Sequence, residues 1–170
     1  MHLKMHCRMG GRSAAGYALL EALVAVIVAA VGFIGAARMQ TLGMSLGNSA
    51  QSRQKATLLG YQMTDRIRAN RLGFESGQYN NPTNDLTAGA TACLGSGCNP
   101  ALLAVADVSQ WAAEIAATLP SGIGKVCVDS TPDDGTSSAP ACDGIGNDIA
   151  VKIWWIDNVA TTRFVTVVRP

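Results

Sequence analysis

The sequence predicts an α+β fold, in which a long N-terminal helix packs on a small antiparallel sheet with short helices and disulfide-tied loops. Three observations lead to this prediction. Residues 16–37 form an apolar run that continues as a helical pattern, with no proline between Tyr17 and Asn81. The last third of the chain is rich in Val, Ile, Thr and aromatic residues, which is typical of strands. Four cysteines follow the helical region, and 170 residues suffice for one domain of moderate size.

The first 16 residues resemble a leader that is removed from the mature chain. They carry three basic residues and no acidic residue, and they end in small residues: Lys4, Arg8 and Arg12, then Ala14, Ala15 and Gly16. A cut between Gly16 and Tyr17 would create an α-amine that is cationic at neutral pH. Because basic flanks remain in the cytoplasm, the C-terminal bulk of the chain is predicted to cross the membrane.

Glu21 is a carboxylate inside the apolar run, four residues after Tyr17. An acid near the middle of a membrane helix costs about 3 kcal/mol or more, so it marks a function and requires a cationic partner. The α-amine of Tyr17, on the same chain or on a neighbour, would provide that partner. Two other interpretations compete, a secretory signal peptide cut near Ala36 and Ala37 and an uncut membrane anchor. Only the cut after Gly16 explains both Gly16 and Glu21.

Apolar residues recur every three or four positions beyond this run, so one helix is expected over about residues 19–70. At 1.5 Å per residue it would be roughly 75 Å long, more than twice the hydrocarbon thickness of a bilayer. Residues 17–38 are therefore predicted to be a transmembrane and assembly half, and residues 39–72 an amphipathic half that packs on the head. The mainly basic polar face indicates either a solvated surface or an assembly contact. The helical glycines either allow close helix approach or reflect the tolerance of membrane helices for glycine.

The head, residues 73–170, is predicted to begin as a loop. The composition shifts to Gly, Asn, Ser, Thr and Pro over residues 71–91. Asn99 and Pro100 then supply an N-cap and a first-turn proline, which predict a short helix over residues 101–106.

A second helix of the head is expected to begin at Asp107. Asp107 and Gln110 form a capping-box pattern, and the helical spacing continues to a stop at Pro120. Trp111 is spaced with Ile115 on one helix face, so it is interpreted as a core anchor rather than a ligand-binding aromatic.

Three strands are predicted in the C-terminal third, over residues 125–128, 149–157 and 162–168, with a turn at Asp157-Asn158. The alternation of the middle strand places Ile149, Val151, Ile153 and Trp155 on one face and Ala150, Lys152, Trp154 and Ile156 on the other. One face is expected to pack on the long helix. Trp154 and Trp155 cannot share a face, so one of them is a candidate for a subunit contact or for burial under the disulfide loop.

The four cysteines that remain after removal of the leader, which contains Cys7, indicate an oxidising compartment: Cys93, Cys98, Cys127 and Cys142. Three pairings are possible. The local pairing of Cys93 with Cys98 and of Cys127 with Cys142 is preferred, and each bond would stabilise the fold by about 3 kcal/mol. A four-thiolate zinc site is the less favoured alternative, because structural zinc ligands are usually two to four residues apart.

Catalysis has little support in the sequence. Both histidines, His2 and His6, lie in the leader, so the mature chain lacks an imidazole for a catalytic triad or a metal site. Five acids cluster before the middle strand, Asp129, Asp133, Asp134, Asp143 and Asp148, but Asp134 occupies the position at which an EF-type calcium loop requires glycine. A solvated, Asp-rich turn is therefore predicted there, and no cofactor or metal is expected.

Charge does not indicate a nucleic-acid partner. Without Lys4, Arg8 and Arg12 the chain carries 12 acidic and 10 basic residues. A nucleic-acid binder is expected to carry a basic excess, so nothing in the overall charge suggests this class, although the long helix carries local positive charge.

Three segments of the chain resemble a known family. The segment Gly16-Tyr17-Ala18-Leu19-Leu20-Glu21 resembles the class III signal of type IV prepilins, with Tyr17 where Phe is usual and Ala18 where Ser or Thr is usual. Residues 56–70, which end in M-T-D-R-I-R-A-N, are similar to the end of the long helix in PilV-type minor pilins. The order C-x4-C-x-P-x-L-L-A-x-x-D-x-x-x-W, closed by Leu119-Pro120-x-Gly122, also resembles that family.

The resemblance implies a type IV pilin-like fold and a structural, non-catalytic role in initiating type IV pilus assembly. It implies cleavage after Gly16 and N-methylation at Tyr17 by a prepilin peptidase and methyltransferase, with Glu21 as the assembly carboxylate. The implied partners are other minor pilins, the major pilin, the inner-membrane assembly platform and membrane lipid. The implied location is the bacterial inner membrane, with a periplasmic head, and then the pilus. Alternatives are a minor pseudopilin of a type II secretion system, or a pilus-tip adhesin that binds through its disulfide loops.

Overall fold

The computed structural model describes residues 15–82, 93 and 97–169, with side chains from Tyr17 onward. This part of the chain contains three helices and three strands. Its residues fall into two compact units, one within 15–44 and the other within 45–169, and the first helix contributes residues to both. The prediction of a long apolar N-terminal helix before a small antiparallel sheet is confirmed.

Helix α1 spans Ala15–Ala69 and begins earlier than the prediction of about residue 19. No proline interrupts it, and two arginines in its last turn, Arg66 and Arg68, interact favourably with the negative end of the helix dipole. The helix ends at Ala69, and the backbone of Asn70 leaves the helical region at φ −95° and ψ 62°.

Helix α2 spans Arg71–Glu75, so the prediction of a loop from residue 71 is wrong at its start. The Asn70 side chain accepts a hydrogen bond from the Gly73 backbone N–H at 3.2 Å and caps this short helix. A Cβ atom on residue 73 would lie 2.4 Å from Asn70 Nδ2, so the cap requires glycine at that position. A shift in composition does not detect such a short helix, because its N-cap, Asn70, lies before residue 71, where the composition changes.

Helix α3 spans Pro100–Thr118 as one continuous helix. The predicted N-cap at Asn99 is confirmed, since its side chain accepts a hydrogen bond from the Leu102 N–H at 2.8 Å. The prediction of separate helices over residues 101–106 and from Asp107 is wrong. Asp107 lies inside α3, where the helix that Asn99 has already nucleated needs no second cap.

The sheet consists of β1 (Ile123–Val128), β2 (Ile149–Asp157) and β3 (Ala160–Val168) in the order β1-β2-β3, with both pairs antiparallel. In the register, Val128 pairs with Ile149 and Asp157 with Ala160. A two-residue turn joins β2 to β3, and Asn158 adopts φ 58° there, which asparagine tolerates.

The core of the head lies between the C-terminal part of α1, α3 and one face of the sheet. Ala56, Leu59, Met63 and Ile67 of α1, which are spaced three or four residues apart, are buried with Val108, Trp111 and Ile115 of α3 and with the predicted inner face of β2. Trp111 is completely buried and its indole N–H donates to the Leu59 carbonyl at 2.8 Å. The prediction that Trp111 is a core anchor is therefore confirmed.

Both faces of β2 are covered. Trp155 belongs to the core on the helix side, and Trp154, on the opposite face, is only 2% exposed. Of the two possibilities for Trp154, burial under the disulfide loop agrees with the structure, because Gly135, Thr136 and Ser137 lie beside it. Ile156 on the same face remains 41% exposed.

The helical glycines differ in what surrounds them. A Cβ atom on Gly32, Gly35, Gly43 or Gly47 would meet no atom within 4 Å. At Gly60 it would lie 2.4 Å from the Phe164 ring of β3. Gly60 therefore permits a close helix-to-strand approach in the head.

Candidate functional site

The N-terminal part of α1 presents an apolar surface on all sides. An 18-residue window in it has a mean hydropathy of 2.5 and none of that window is buried. Large side chains along this segment are mostly exposed, for example Tyr17 at 83%, Phe33 at 76% and Ile34 at 70%. By length and composition this helix could span a membrane.

Three predicted site residues lie together at the start of this segment. Gly16 and Tyr17 belong to the first turn of α1, and Glu21 follows one helical turn after Tyr17 on the same side of the helix. The Glu21 side chain is exposed, and no residue of the described ranges forms an ion pair with it. The peptide bond after Gly16 lies in the first turn of α1, where the backbone N–H groups have no partner within the helix.

The four predicted cysteines lie in the head, apart in sequence from Glu21. Cys93 is bonded to Cys98 and Cys127 to Cys142, with Cα–Cα distances of 4.8 and 6.0 Å, which is the local pairing preferred from the sequence. The second bond links β1 to the segment of residues 129–148, which we call the loop strap.

The loop strap is held on the sheet by a buried cation. The Lys152 side chain of β2 is completely buried and pairs with Asp129, which is also completely buried. The same ammonium donates to Asp134 Oδ1 at 3.1 Å and to the Pro140 carbonyl at 2.8 Å. The Lys152 hydrogen bond holds the pKa of the Asp134 carboxyl below its ordinary value. The prediction of a solvated, Asp-rich turn is therefore wrong for Asp129.

A second cation and a local carboxylate complete the attachment of the loop strap. Arg163 of β3 donates to the backbone carbonyls of Asp133, Asp134 and Gly135. Asp143 accepts from the Ser130 hydroxyl and from the Ser130 and Ile145 N–H groups, and the Ser130 hydrogen bond lowers the pKa of its carboxyl. These contacts cover the outer face of the sheet with backbone and side-chain polar groups that are hydrogen-bonded.

A polar network joins α1 to α3. The Tyr79 hydroxyl donates to Asp107 Oδ2 at 2.6 Å and accepts from Asn70 Nδ2 at 3.2 Å. Arg66 of α1 donates to Gln110 Oε1 at 3.1 Å. Burial raises the pKa of the Asp107 carboxyl, and burial, followed by the Asp107 hydrogen bond, raises the pKa of the Tyr79 phenol. The network thus gives Asp107, predicted as a helix cap, an interhelical role.

These networks have the chemistry of structural contacts. Within residues 17–82 and 97–169, no group of three His, Cys, Asp or Glu side chains is arranged to hold a metal ion. The buried Asp129 is paired with the Lys152 ammonium, and the half-buried Asp107 accepts a hydrogen bond from the Tyr79 hydroxyl.

Sequence reasoning missed the buried pair of Lys152 and Asp129. One signal was available, because Lys152 interrupts the otherwise apolar run I-A-V-K-I-W-W of β2. A lysine at such a position is rarely buried without a partner. The choice of Asp129 among five neighbouring acids depends on the path of the loop strap, which no local pattern encodes.

Comparison of this chain with protein-family models, with curated proteins and with solved structures finds no match. Its function is therefore inferred from its own residues and their arrangement. Two features are available for that inference, the exposed apolar segment with Glu21 and the disulfide-tied head.

Proposed function

We propose that the chain is a PilV-type minor pilin, a structural and non-catalytic subunit that takes part in initiating type IV pilus assembly by docking with other minor pilins and the major pilin. The observation that carries the proposal is Glu21, an acid in an exposed apolar helix one turn after the Gly16-Tyr17 bond. The assignment to a pilus rests on the resemblance of residues 16–21 and 56–70 to this family. The subunit is anchored in the bacterial inner membrane with its head in the periplasm before it joins the filament.

The exposed apolar segment explains why such a subunit assembles. Transfer of side chains such as Phe33 and Ile34 into water would be unfavourable by about 25 cal/mol per Å² of apolar surface. A helix of this kind is stable in lipid or among other helices of the same kind. The subunit therefore leaves the bilayer only when its helix docks against neighbouring helices.

The Glu21 carboxylate sets the axial position at which one subunit helix docks against the next. After cleavage by the prepilin peptidase, the new α-amine of a neighbouring Tyr17 meets the Glu21 carboxylate. In an apolar surrounding the pair is stronger than in water, and an unpaired Glu21 is costly there. Cleavage and N-methylation leave the amine cationic, so the processing step creates the partner that the carboxylate requires.

Mass spectrometry of the mature N-terminus tests the identity. Sheared pili and membranes from the producing cells should contain a peptide that begins at a methylated Tyr17. A chain that still begins at Met1, or that begins beyond Ala37, would contradict the proposal.

Substitution of Glu21 tests the docking step. Because removal of the charge stabilises the helix in the bilayer but removes the docking pair, Glu21→Ala should accumulate in the membrane and decrease about a hundredfold in sheared pili. Asp65→Ala, which removes a 77% exposed acid near the other end of α1, is the matched control and should leave both amounts unchanged. Normal incorporation of Glu21→Ala would contradict the role of Glu21.

A further inference from the structure

A cavity of about 270 Å³ opens in the head where the end of α1, α2 and the end of β3 meet. It lies within the second compact unit, within 45–169. Its volume is close to the lower end of the range for small-ligand pockets, so it can hold one or two side chains rather than a large cofactor.

Three arginines from separate parts of the chain line this cavity, which we call the arginine cavity. Arg68 belongs to α1, Arg71 to α2 and Arg169 follows β3. Their side chains are 63%, 82% and 80% exposed. Glu75 is the single acid among the lining residues, so the lining itself carries a net positive charge. Two of the arginines also pair with acids outside the lining, Arg68 with Asp65 at 3.7 Å and Arg169 with Asp148 at 3.0 Å.

The guanidinium groups of Arg71 and Arg169 have Nη–H donors available for a ligand. Arg71 contacts Glu75 through Nε at 2.7 Å, and Arg169 contacts Asp148 through Nε at 3.0 Å. Within the described part of the chain, no acceptor is hydrogen-bonded to the Nη atoms of either residue. Two forked donors are thus positioned at the mouth of one cavity, and such forks bind carboxylate or phosphate through paired hydrogen bonds.

The remaining wall of the arginine cavity is apolar. Ile67 and Val168 are core residues that contribute to its lining, and Phe74 is partly buried against the core. A ligand that fills the cavity must therefore present an apolar group next to its anionic group.

We propose that the arginine cavity binds a peptide segment in which a carboxylate lies beside an apolar side chain. The guanidinium forks would hold the carboxylate, and Ile67, Phe74 and Val168 would contact the apolar side chain. A free phosphate has no apolar group for this wall, an uncharged sugar has no anionic group for the guanidinium forks, and the small volume excludes an extended polymer. The site goes beyond the proposed function, since it requires neither membrane insertion nor a filament.

Arginine side-chain N–H resonances of the full chain in detergent micelles provide the test. The probe is N-acetyl-alanyl-phenylalanine with a free carboxylate, and the same peptide with a C-terminal amide is the control probe. Addition of the free acid should shift the signals of Arg71 and Arg169 with a dissociation constant on the order of 1 mM, and the amide should bind at least roughly tenfold more weakly.

Substitutions of the cavity arginines provide the second part of this binding test. Arg71→Gln and Arg169→Gln alter exposed side chains, and each should weaken binding of the acid roughly tenfold without a change in thermal stability. Arg53→Gln is the matched control, because Arg53 is also an exposed helical arginine paired with an acid, Asp157. It should leave binding unchanged.

Four results would overturn the proposal. They are equal binding of acid and amide, binding that persists in both cavity variants, shifts produced by inorganic phosphate or acetate as readily as by the peptide, and no shift at about 10 mM peptide. None of these results bears on cleavage at Gly16 or on Glu21, so failure of this site and failure of the proposed function are separate outcomes.

Discussion

Lys152, in the middle of β2, forms an ion pair with Asp129, the residue that follows β1, and both side chains are completely inaccessible to solvent. The pair joins the loop strap to the outer face of the sheet. Removal of one member of a buried pair leaves a charge without compensation in a medium of low polarity, which is far more costly than loss of an exposed pair. The attachment of the loop strap is therefore expected to depend on Asp129 more than on its neighbouring acids.

Asp129→Ala should lower the free energy of unfolding by about 3–5 kcal/mol, because Lys152 would remain buried without its main partner. Asp134→Ala should have a much smaller effect, since the Asp134 side chain is about half exposed. Chemical denaturation of the mature chain in detergent, followed by Trp fluorescence, measures both. The double variant Asp129→Ala with Lys152→Met should be more stable than Asp129→Ala alone. Equal losses for Asp129→Ala and Asp134→Ala would show that the ion pair does not anchor the loop strap.

The two disulfides should differ in their contribution. The Cys127–Cys142 bond closes a sequence separation of 15 and the Cys93–Cys98 bond one of 5. Loop-closure entropy then predicts losses of about 3 and about 2 kcal/mol when each pair is replaced by serine. Thermal unfolding of the two double variants measures which disulfide contributes more to stability.

Only the Cys127→Ser and Cys142→Ser pair should also expose Trp154, because that bond holds the loop strap over it. A red shift of Trp fluorescence under native conditions reports this exposure. A similar shift in the Cys93→Ser and Cys98→Ser variant would contradict the assignment.

Asp107 should make stability fall as the pH rises. Its folded-state pKa is raised, mainly by burial, so the folded chain binds a proton more tightly than the unfolded chain. Stability from this group is present below the unfolded-state pKa and is lost as the pH rises through the folded-state pKa. Asp107→Asn keeps an acceptor for the Tyr79 hydroxyl, so it should raise the melting temperature at pH 7 and leave it unchanged near pH 3.

Tyr79→Phe is the companion to this variant. It removes the donor to Asp107 and should cost about 1–3 kcal/mol at neutral pH. If melting temperatures of the parent chain and Asp107→Asn differ equally at both pH values, Asp107 does not titrate in this range.

Gly60→Ala should destabilise the head although alanine favours helices. The gain in helix propensity is about 1 kcal/mol, whereas the new methyl group would lie 2.4 Å from the Phe164 ring and cost about 1–3 kcal/mol. We expect a net loss of up to about 2 kcal/mol in chemical denaturation. Gly47→Ala, where no atom lies within 4 Å, is the control and should not destabilise the chain.

Much of the architecture was predictable because its signals are local. The absence of proline and the apolar spacing predicted α1, the Asn99 cap predicted the start of α3, and the period of two predicted the inner face of β2. Helix α2 was missed because its N-cap, Asn70, directly follows α1. The extra helix boundary at Asp107 was predicted because a capping-box aspartate and an aspartate inside a helix that bonds to another segment have the same residues in sequence.

The sequence by itself determined the long helix, whose apolar run contains the single acid Glu21, and the identity of the strands, because each depends on residues close together in the chain. It left three cysteine pairings open, and the structure shows the preferred local one. Only the tertiary structure decided that the loop strap covers Trp154 and buries Lys152 with Asp129, and that three arginines surround one cavity. Burial and the pairing of charges depend on which distant segments meet. Local pattern therefore specified the elements, and packing specified the environment of each side chain.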